Sequence, residues 1–364
     1  MHKTSDIRFM KMALSYARRN LGVTAPNPSV GCVIVRDGQV VAAAVTAKGG
    51  RPHAEKIALN QAGDMAKGAV LYVTLEPCSH IGKTSPCCDA VIKSGVKKVV
   101  IACVDPNPDV NGQGIERLKN KGIEVITGVC EEEAKRLNAG FFLNKTSNRP
   151  LITLKIATSL DGKIATSKGQ SKWITSEDAR KFSHILRAQS DAIMVGIGTV
   201  LADNPTLDCR IDGLKEQSPV RVVIDSNGQI SADSNLLKTA TKENPVWVFS
   251  ENMLPVKPRF IESIAAPKKE DGLDLQYILG ILAEKGITRL LVEGGSKLAT
   301  SFIKNGLVDR LIWIKAPKIL GNDAKAAIGD IDIDLLENSI NLKITKSIKI
   351  GDDIAEFYDI TPIL

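Results

Sequence analysis

Residues 77–88 read Pro-Cys-Ser-His-Ile-Gly-Lys-Thr-Ser-Pro-Cys-Cys, and they follow a shorter stretch at 52–55, Pro-His-Ala-Glu. Cys78 and Cys87 stand near the two ends of the first stretch, and His53 lies in the second. Zinc takes imidazole nitrogen and thiolate sulfur, and a catalytic zinc site keeps three protein ligands so that a fourth position stays open to water. The sequence therefore predicts a zinc site formed by His53, Cys78 and Cys87.

The position of Glu55 indicates what such a site would do. Glu55 lies two residues after His53, close enough to the metal to move protons without binding it, and this is the placement of a general acid/base. Helices are predicted to begin near His53 and Pro86, and a helix N-terminus stabilises a thiolate such as that of Cys87. His-x-Glu with a later Pro-Cys is the signature of zinc deaminases, in which activated water attacks a carbon bearing an exocyclic amine.

Two alternatives remain open at this point. A structural zinc site would need a fourth protein ligand, for which His80 or Cys88 is available. In that case the protein would be a non-enzymatic module whose second half binds a nucleotide as a sensor. The open three-ligand set beside Glu55 favours the enzyme.

Length and composition indicate two soluble domains. The chain has 364 residues, of which 43% are hydrophobic and 24% charged, and single cores stop growing beyond roughly 250 residues. The polar segment 145–150, KTSNRP, is predicted to be the linker, so that the domains would be 1–147 and 148–364. Neither a signal peptide nor a membrane-spanning segment is predicted, and seven cysteines, an odd number, favour reduced thiols in the cytoplasm.

Hydrophobic periodicity predicts an α/β fold for the first half. The pattern Ile7, Met10, Leu14, Ala17 favours an amphipathic helix that begins near Ser5 and ends near Asn20. The turn Asp37-Gly38 joins the apolar strands 29–35 and 39–45 into a hairpin. Further helices are predicted from about 53, from about 86 and over 114–121, with strands at 69–75, 97–104 and 123–127.

The second half also alternates between strands and helices. Strands are predicted at 151–157, 192–198, 220–226, 245–250, 287–295 and 310–316. Helices are predicted over 176–189 and 273–285, with a further one ending at Asn305. This pattern is typical of a second α/β domain.

Glycines after the strand at 287–295 suggest a phosphate-binding turn. In Glu293-Gly294-Gly295-Ser296, glycine lets backbone amides approach a phosphate at the start of a helix. The Gly-x-Gly-x-x-Gly fingerprint is absent, so a Rossmann dinucleotide domain is not predicted. A lone Gly-Gly is also compatible with an ordinary turn.

Longer motifs resemble one enzyme family over nearly the whole chain. Cytidine-deaminase-like proteins usually show Pro-Cys-x-x-Cys, whereas here eight residues separate Cys78 from Cys87. The runs APNPSVGCVIV (25–35), PCSHIGKTSPCCDA (77–90), LKIATSLDGKIA (154–165), SKWIT (171–175), LRAQSDAIMVGIGTVLADNP (186–205), VRVVIDS (220–226) and LLVEGGSKLATSF (290–302) closely resemble the bifunctional deaminase/reductases of riboflavin biosynthesis.

The resemblance implies a reaction sequence. A cytidine-deaminase-like three-layer α/β/α domain would deaminate 2,5-diamino-6-ribosylamino-4(3H)-pyrimidinone 5′-phosphate with one Zn²⁺. A dihydrofolate-reductase-like α/β domain would then use NADPH to reduce the ribosyl group, giving 5-amino-6-(5-phosphoribitylamino)uracil. The family further suggests a homo-oligomer.

The resemblance also implies site residues. His53, Cys78 and Cys87 would bind zinc, and Glu55 would transfer protons. The positions that match the NADPH site are Ala157, Trp173, Thr199, Asp203, Ser226, Gly295, Ser296, Lys297, Leu298, Ala299, Thr300 and Ser301. Those that match the substrate site are Ser171, Arg187, Leu207, Arg210 and Glu293. We expect Arg187 and Arg210 to bind the substrate's phosphate and Lys155 to line the same cleft.

A nucleic-acid base-editing deaminase with an accessory nucleotide-binding domain is the alternative enzyme. Such a protein would hold nucleotides with clustered basic and aromatic residues. The net charge is +7, but the basic residues are scattered among acids and only 4% of residues are aromatic. We therefore expect a small phosphorylated pyrimidine as the substrate, and neither nucleic acid nor membrane as a partner.

Overall fold

The computed structural model describes residues 3–80, 85–107, 110–253 and 259–360. The chain forms two compact units, Met1–Arg149 and Pro150–Ile363. The segment predicted as a linker, 145–150, is helical as far as Ser147, so only its last three residues connect the units. Residues 81–84 of the motif at 77–88 lie outside the described residues.

The N-terminal unit is built on a five-stranded sheet in the order β2-β1-β3-β4-β5. β1 pairs antiparallel with β2 and β3, while β3, β4 and β5 run parallel. The predicted hairpin is confirmed, because Asp37 and Gly38 both take positive φ angles, 50° and 78°, between β1 and β2. The strands are β1 (Gly31–Arg36), β2 (Gln39–Val45), β3 (Val70–Val73), β4 (Lys98–Ile101) and β5 (Glu124–Thr127).

Five helices pack on this sheet in two groups. The helices are α1 (Thr4–Arg18), α2 (Ala54–Ala62), α3 (Cys87–Ser94), α4 (Gln113–Asn120) and α5 (Glu131–Ser147). α1 contacts α5, and α3 contacts both α2 and α4. One apolar core joins these helices to the sheet, with Met10, Leu14, Ile34 and Leu71 fully buried. The arrangement brings the starts of α2 and α3 together, and His53 and Cys87 stand at those starts.

The C-terminal unit contains a nine-stranded sheet in the order β11-β10-β9-β8-β14-β6-β15-β18-β17. The strands from β11 to β15 in this order run parallel, and β18 and β17 close the sheet antiparallel. Its strands are β6 (Leu151–Thr158), β8 (Ala192–Gly196), β9 (Val220–Ile224), β10 (Val246–Ser250), β11 (Ile261–Ala265), β14 (Arg289–Val292), β15 (Arg310–Lys315), β17 (Lys343–Ile350) and β18 (Asp353–Asp359). Two short pairs lie outside it, β7 (Lys163–Ala165) with β16 (Lys325–Ala326) and β12 (Lys268–Lys269) with β13 (Gly272–Leu273).

Helices and two apolar cores cover this sheet. The helices are α6 (Glu177–Ala188), α7 (Ile197–Asp203), α8 (Asn235–Lys238), α9 (Leu275–Glu284) and α10 (Ser296–Lys304). Side chains such as Leu154, Phe249 and Phe302 form one core, and Ile193 and Val248 belong to the other. Because the central strands are parallel, the loops that follow them gather at one edge of the sheet, which is where open α/β sheets place their ligands.

The predicted α/β class is confirmed in both units, and each predicted helix and strand overlaps an observed one. The sequence patterns did not predict α5, the short helices α7 and α8, the β17–β18 hairpin, the strand β11 or the two short strand pairs β7–β16 and β12–β13. Within the part of the chain that the structure describes, no helix is both long and apolar enough to cross a membrane.

Candidate functional sites

The three predicted zinc ligands lie together in the N-terminal unit. His53 precedes α2, Cys78 follows β3, and Cys87 is the first residue of α3. Their ligand atoms lie within 4.8 Å of one another, with His53 Nδ1 at 3.7 Å from Cys78 Sγ and 3.3 Å from Cys87 Sγ. Tetrahedral zinc with ordinary bond lengths separates a nitrogen and a sulfur ligand by about 3.6 Å. The donor set therefore fits zinc in both chemistry and spacing.

The two cysteines share a hydrogen-bonded arrangement that favours a thiolate. The pKa of Cys78 is lowered to about 4, chiefly because the Cys87 side chain hydrogen-bonds to it and also because His53 does. The backbone N–H of Cys87, at the start of α3, donates to Cys78 Sγ at 3.3 Å. The pKa of Cys87 is raised, since its thiol is the donor to Cys78. A cation at this position would replace the shared proton and favour both thiolates.

Glu55 lies in the first turn of α2, beside the cluster. Its side chain is buried, and burial raises its pKa above the ordinary value. It also lies within hydrogen-bonding range of the Cys87 side chain. A carboxyl group with a raised pKa, next to a metal site and outside the ligand set, is suited to accept and return protons.

A fourth protein ligand is not found among the described residues. The potential metal-binding group there consists of His53, Cys78 and Cys87 alone. The thiol of Cys88 donates to the carbonyl oxygens of Pro77 and Gly114, at 3.2 and 3.7 Å, instead of facing the cluster. This arrangement favours a catalytic zinc site over the structural one.

The C-terminal unit contains a cavity of about 1380 Å³. The C-terminal end of β6 and the segments that follow β8, β9 and β14 contribute to its wall, as the parallel sheet requires. The residues predicted for the NADPH and substrate sites that line it are Ala157, Thr199, Asp203, Ser226, Gly295, Ser296, Lys297, Leu298, Ala299 and Ser301, together with Ser171, Arg187, Leu207 and Glu293. Lys155 lines it too.

The turn from β14 into α10 presents backbone amides to the cavity. Gly294 is packed so tightly that an added Cβ would lie 2.8 Å from Leu298 Cβ. An added Cβ at Gly295 would meet only Thr199 Oγ1, at 3.8 Å. The first glycine is therefore required by helix packing, and the second leaves open space at a helix N-terminus, where an anionic phosphate is favoured.

The guanidinium of Arg187 donates hydrogen bonds to protein atoms, and its expected contact with the substrate's phosphate stays a prediction. Its Nε and Nη2 donate to the two carboxylate oxygens of Glu293, at 2.9 and 3.0 Å, and Nη1 donates to the carbonyl of Asp208. Lys155 Nζ lies 3.6 Å from Glu293 Oε2. Despite burial, these cations lower the pKa of Glu293 to about 2, so the cavity wall carries a fixed carboxylate.

Three predicted residues do not line the cavity. Trp173 is 65% exposed, and its ring stacks against the guanidinium of Arg180 at 4.1 Å. Thr300 Oγ1 donates to the carbonyl of Ser296, one turn earlier in α10. Arg210 Nη1 donates to Asp208 Oδ1 at 2.7 Å, on the loop that carries Leu207. Their predicted contacts with ligand stay predictions.

Sequence reasoning missed part of the wall. The hairpin 269–273 and Gln229 line the cavity, and Asp208 and Arg221 hold the loop at 204–210. Lys269, Glu270 and Asp271 look like an ordinary charged turn in the sequence. Arg221 lies in an otherwise apolar strand. A charged residue at a position where the pattern predicts burial is unusual, and this was the signal in the sequence that could have indicated a special role.

Comparisons with known proteins identify the families to which both units are similar. Residues 3–103 match the family model of the cytidine and deoxycytidylate deaminase zinc-binding region. Residues 150–355 match the model of the RibD C-terminal domain. The riboflavin biosynthesis protein RibD of Aquifex aeolicus (strain VF5) is 45% identical over 358 residues, covering 98% of this chain and 99% of that protein. The RibD of Escherichia coli (strain K12) is 40% identical, covering 96% and 98%.

Solved structures are similar over the same length. Acinetobacter baumannii RibD, form 1, superposes with a TM-score of 0.89 at 38% identity, covering 98% of this chain and 99% of that one. The diaminohydroxyphosphoribosylaminopyrimidine deaminase/5-amino-6-(5-phosphoribosylamino)uracil reductase of Thermotoga maritima gives a TM-score of 0.88 at 37% identity, with the same coverage. The chain therefore belongs to the RibD family of riboflavin biosynthesis proteins and is a bifunctional enzyme with a zinc-binding deaminase domain and a reductase domain.

Proposed function

We propose that the N-terminal unit hydrolytically deaminates 2,5-diamino-6-ribosylamino-4(3H)-pyrimidinone 5′-phosphate, and that the C-terminal unit then reduces the ribosyl group with NADPH. The product is 5-amino-6-(5-phosphoribitylamino)uracil. The observation that carries the first step is the open cluster of His53, Cys78 and Cys87 beside buried Glu55. The two reactions named for the similar Thermotoga maritima enzyme support both steps, and they support deamination before reduction because the named reductase substrate is a uracil.

In the deamination, His53, Cys78 and Cys87 hold zinc, which supplies Lewis-acid activation of water. Glu55 accepts a proton from that water and returns protons to the ring nitrogen and the departing amine. The raised pKa of Glu55 suits both proton uptake and proton release, because the carboxylate must be protonated and deprotonated again in every turnover. The reaction consumes one water, releases one ammonia and leaves a ring carbonyl.

In the reduction, NADPH supplies the hydride that is transferred to the sugar carbon. Gly295 and Ser296, at the N-terminus of α10, would hold the cofactor's phosphates, and Ser226 also lines the cavity. Ser171 and Leu207 line the substrate's part of the cavity. The protein's contribution is to hold the two reacting carbons close together and aligned.

Surface and thiol chemistry support two further parts of the proposal. The enzyme acts in the cytoplasm, a proposal supported by the seven cysteines, none of which forms a disulfide, as is usual in a reducing compartment. It assembles as a homo-oligomer, as the family resemblance implies, and the exposed apolar side chains of Leu335, Leu336 and Ile344 on the C-terminal unit are candidate contacts between copies.

Product analysis by mass spectrometry tests the proposal. The purified holoenzyme is given the diaminopyrimidinone ribosyl phosphate with and without NADPH. We expect deamination without NADPH and a gain of two hydrogens with it. A Glu55→Gln variant that keeps its zinc should lose about 10²- to 10⁴-fold in deamination and still reduce the deaminated substrate. Deamination without reduction under either nicotinamide cofactor would contradict the assignment of the C-terminal unit.

A further inference from the structure

Arg221, on β9, is a fully buried cation surrounded by neutral oxygen atoms. Its side chain is 1% exposed. Nη1 donates to the carbonyls of Thr206 and Leu236, at 3.2 and 3.3 Å, and to Thr239 Oγ1 at 2.7 Å. Nη2 donates to the carbonyls of Thr239 and Asn244. Burying a charge is costly, and a guanidinium whose five hydrogen bonds all go to neutral oxygens indicates that its position serves a specific purpose.

One of these bonds reaches a strained loop in the cavity wall. Asn204 and Leu207 have φ angles of 41° and 56°, in the left-handed region that non-glycine residues rarely adopt. Pro205 and Leu207 line the cavity. Backbone strain of this kind persists only where neighbouring contacts enforce it, and it concentrates at functional sites. Thr206, whose carbonyl Arg221 holds, lies between the two strained residues.

Other contacts fix the two ends of the loop, and the hydroxyl of Thr206 bonds within the loop to Asp208 and Arg210, whereas the backbone carbonyl of Thr206 is held by Arg221. Asn235 holds the first end, with its backbone N–H 2.8 Å from Asn204 Oδ1. Arg187 Nη1 holds the carbonyl of Asp208 at 3.1 Å, on the other side of Leu207. Arg221 itself does not line the cavity. Among its described hydrogen bonds, the one to the Thr206 carbonyl is the bond that reaches this loop, so we expect its effect on ligand to pass through the Thr206–Leu207 peptide.

We propose that Arg221 is a positioning residue for the reduction, holding the Thr206–Leu207 segment in the conformation that forms the wall against the pyrimidine ribosyl phosphate. The proposal rests on the proposed function of the cavity. It is specific to the substrate, since the turn at Gly295 that faces the cofactor belongs to β14 and α10 and has no contact with Arg221 among those described.

Steady-state kinetics of the full-length holoenzyme test this role. Arg221→Lys keeps the charge but loses the forked donor, and Arg221→Met removes both. We expect the KM for the deaminated substrate to rise about tenfold or more in both variants, because small misplacements of a binding group have effects of this size. The deaminase activity should stay within about twofold of wild type, since the zinc site lies in the other unit. The KM for NADPH should also stay within about twofold, since none of the described hydrogen bonds of Arg221 reaches the turn at Gly295.

Thr239→Val is the matched control, because it removes an acceptor of Arg221 that lies outside the loop at 204–210 and leaves the bond to the Thr206 carbonyl in place. It should lower the melting temperature of the C-terminal unit without raising the substrate KM. Hydrogen exchange over residues 204–210 should accelerate in Arg221→Lys and not in Thr239→Val. If Arg221→Met does not fold, the lysine variant decides the question.

Two results would overturn the proposal. One is a parallel rise of the KM for substrate and NADPH, which a general loss of stability would cause. The other is an unchanged substrate KM and exchange rate in Arg221→Lys. A wild type that reduces nothing would instead refute the proposed function, and the exchange experiment would still show whether Arg221 holds the loop.

Discussion

Arg187 and Glu293 form a bidentate ion pair in the wall of the C-terminal cavity, with Nε–Oε1 and Nη2–Oε2 distances of 2.9 and 3.0 Å. The side chains are 13% and 9% exposed, so water screens the pair weakly. The carboxylate stays ionised with a pKa of about 2. The arginine that sequence resemblance assigns to the substrate thus also fixes an anion in the wall of the cavity.

Replacement of Arg187 by methionine should therefore damage the reductase step through Glu293. Loss of one partner from a buried pair costs roughly 3–5 kcal/mol. It would leave the Glu293 carboxylate with Lys155 as its remaining cation, at 3.6 Å, and raise its pKa. We expect the C-terminal unit to lose stability and reductase activity to fall about a hundredfold. Urea unfolding followed by tryptophan fluorescence measures the first effect, since Trp173, Trp247 and Trp313 all lie in this unit.

Arg187→Lys is the control, because lysine keeps the positive charge but lacks the two parallel N–H donors of the guanidinium. A single ammonium cannot reproduce two parallel hydrogen bonds, so partial recovery of stability with poor recovery of activity is the expected pattern. Full activity in the methionine variant would show that the pair is dispensable to the reaction.

Sequence patterns predicted the local features of the molecule better than the long-range ones. The hairpin at Asp37-Gly38 and the convergence of His53 with Cys78 and Cys87 follow from turn chemistry and ligand chemistry. The pair of Arg187 and Glu293 spans 106 positions, and no periodicity records which distant carboxylate an arginine will meet.

The missed elements have similar physical causes. The helix α5 starts with three consecutive glutamates and continues into a run that includes Phe141 and Phe142, so its apolar residues do not form a simple stripe. The edge strand β17 is mostly exposed, and its sequence KITKSIKI mixes lysine, threonine and serine with isoleucine, so it lacks the apolar run by which the strands of the parallel sheet were found. Tertiary packing decides both elements.

Asp105 makes the stability of the N-terminal unit depend on pH. Burial raises its pKa from 3.8 to about 6. Between these values the unfolded chain has already lost the proton that the folded chain retains, so stability falls as pH rises from about 4 to 6. Asp105→Asn should remove this dependence and stabilise the unit at pH 7 by at most about 3 kcal/mol, at 1.36 kcal/mol per pKa unit.

Urea unfolding followed by circular dichroism at pH 4 and pH 7 measures the effect of Asp105→Asn. The tryptophan signal reports the C-terminal unit separately and should not change. Asp64→Asn, at an exposed position, is the control and should behave as wild type. A variant at position 105 that is less stable than wild type at pH 7 would show that the ionised carboxylate stabilises the fold.

Cys87 and Cys88 are adjacent, but only substitution of Cys87 should remove zinc and deaminase activity. Cys87 belongs to the metal cluster, whereas the thiol of Cys88 donates to the carbonyls of Pro77 and Gly114. Cys87→Ser should lose zinc and at least about a hundredfold of deaminase activity, since a serine hydroxyl is a poor zinc ligand. Cys88→Ser keeps a donor for the same carbonyls and should retain both within about threefold.

Metal analysis of the two purified serine variants, with deaminase and reductase assays on the same samples, makes this comparison. Reductase activity should remain in both, because the cavity lies in the other unit. Zinc loss from Cys88→Ser with retention in Cys87→Ser would reverse the ligand assignment.

Gly294 and Gly295 separate the packing requirement of α10 from its role toward the cofactor. A Cβ at Gly294 would lie 2.8 Å from Leu298 Cβ and 2.9 Å from its Cδ2, so Gly294→Ala must displace the helix and should destabilise the unit by about 1–3 kcal/mol. A Cβ at Gly295 meets only Thr199 Oγ1 at 3.8 Å, so Gly295→Ala should leave stability unchanged.

The same Cβ at Gly295 would occupy the approach of a phosphate to the helix N-terminus, where glycine permits close contact with backbone amides. We therefore expect Gly295→Ala to raise the KM for NADPH about tenfold and to leave the KM for the substrate and the melting temperature unchanged. Paired measurements of these quantities in both alanine variants test the assignment. An unchanged KM for NADPH in a stably folded Gly295→Ala variant would place the cofactor's phosphates elsewhere in the cavity, because the added Cβ would then block no contact with them.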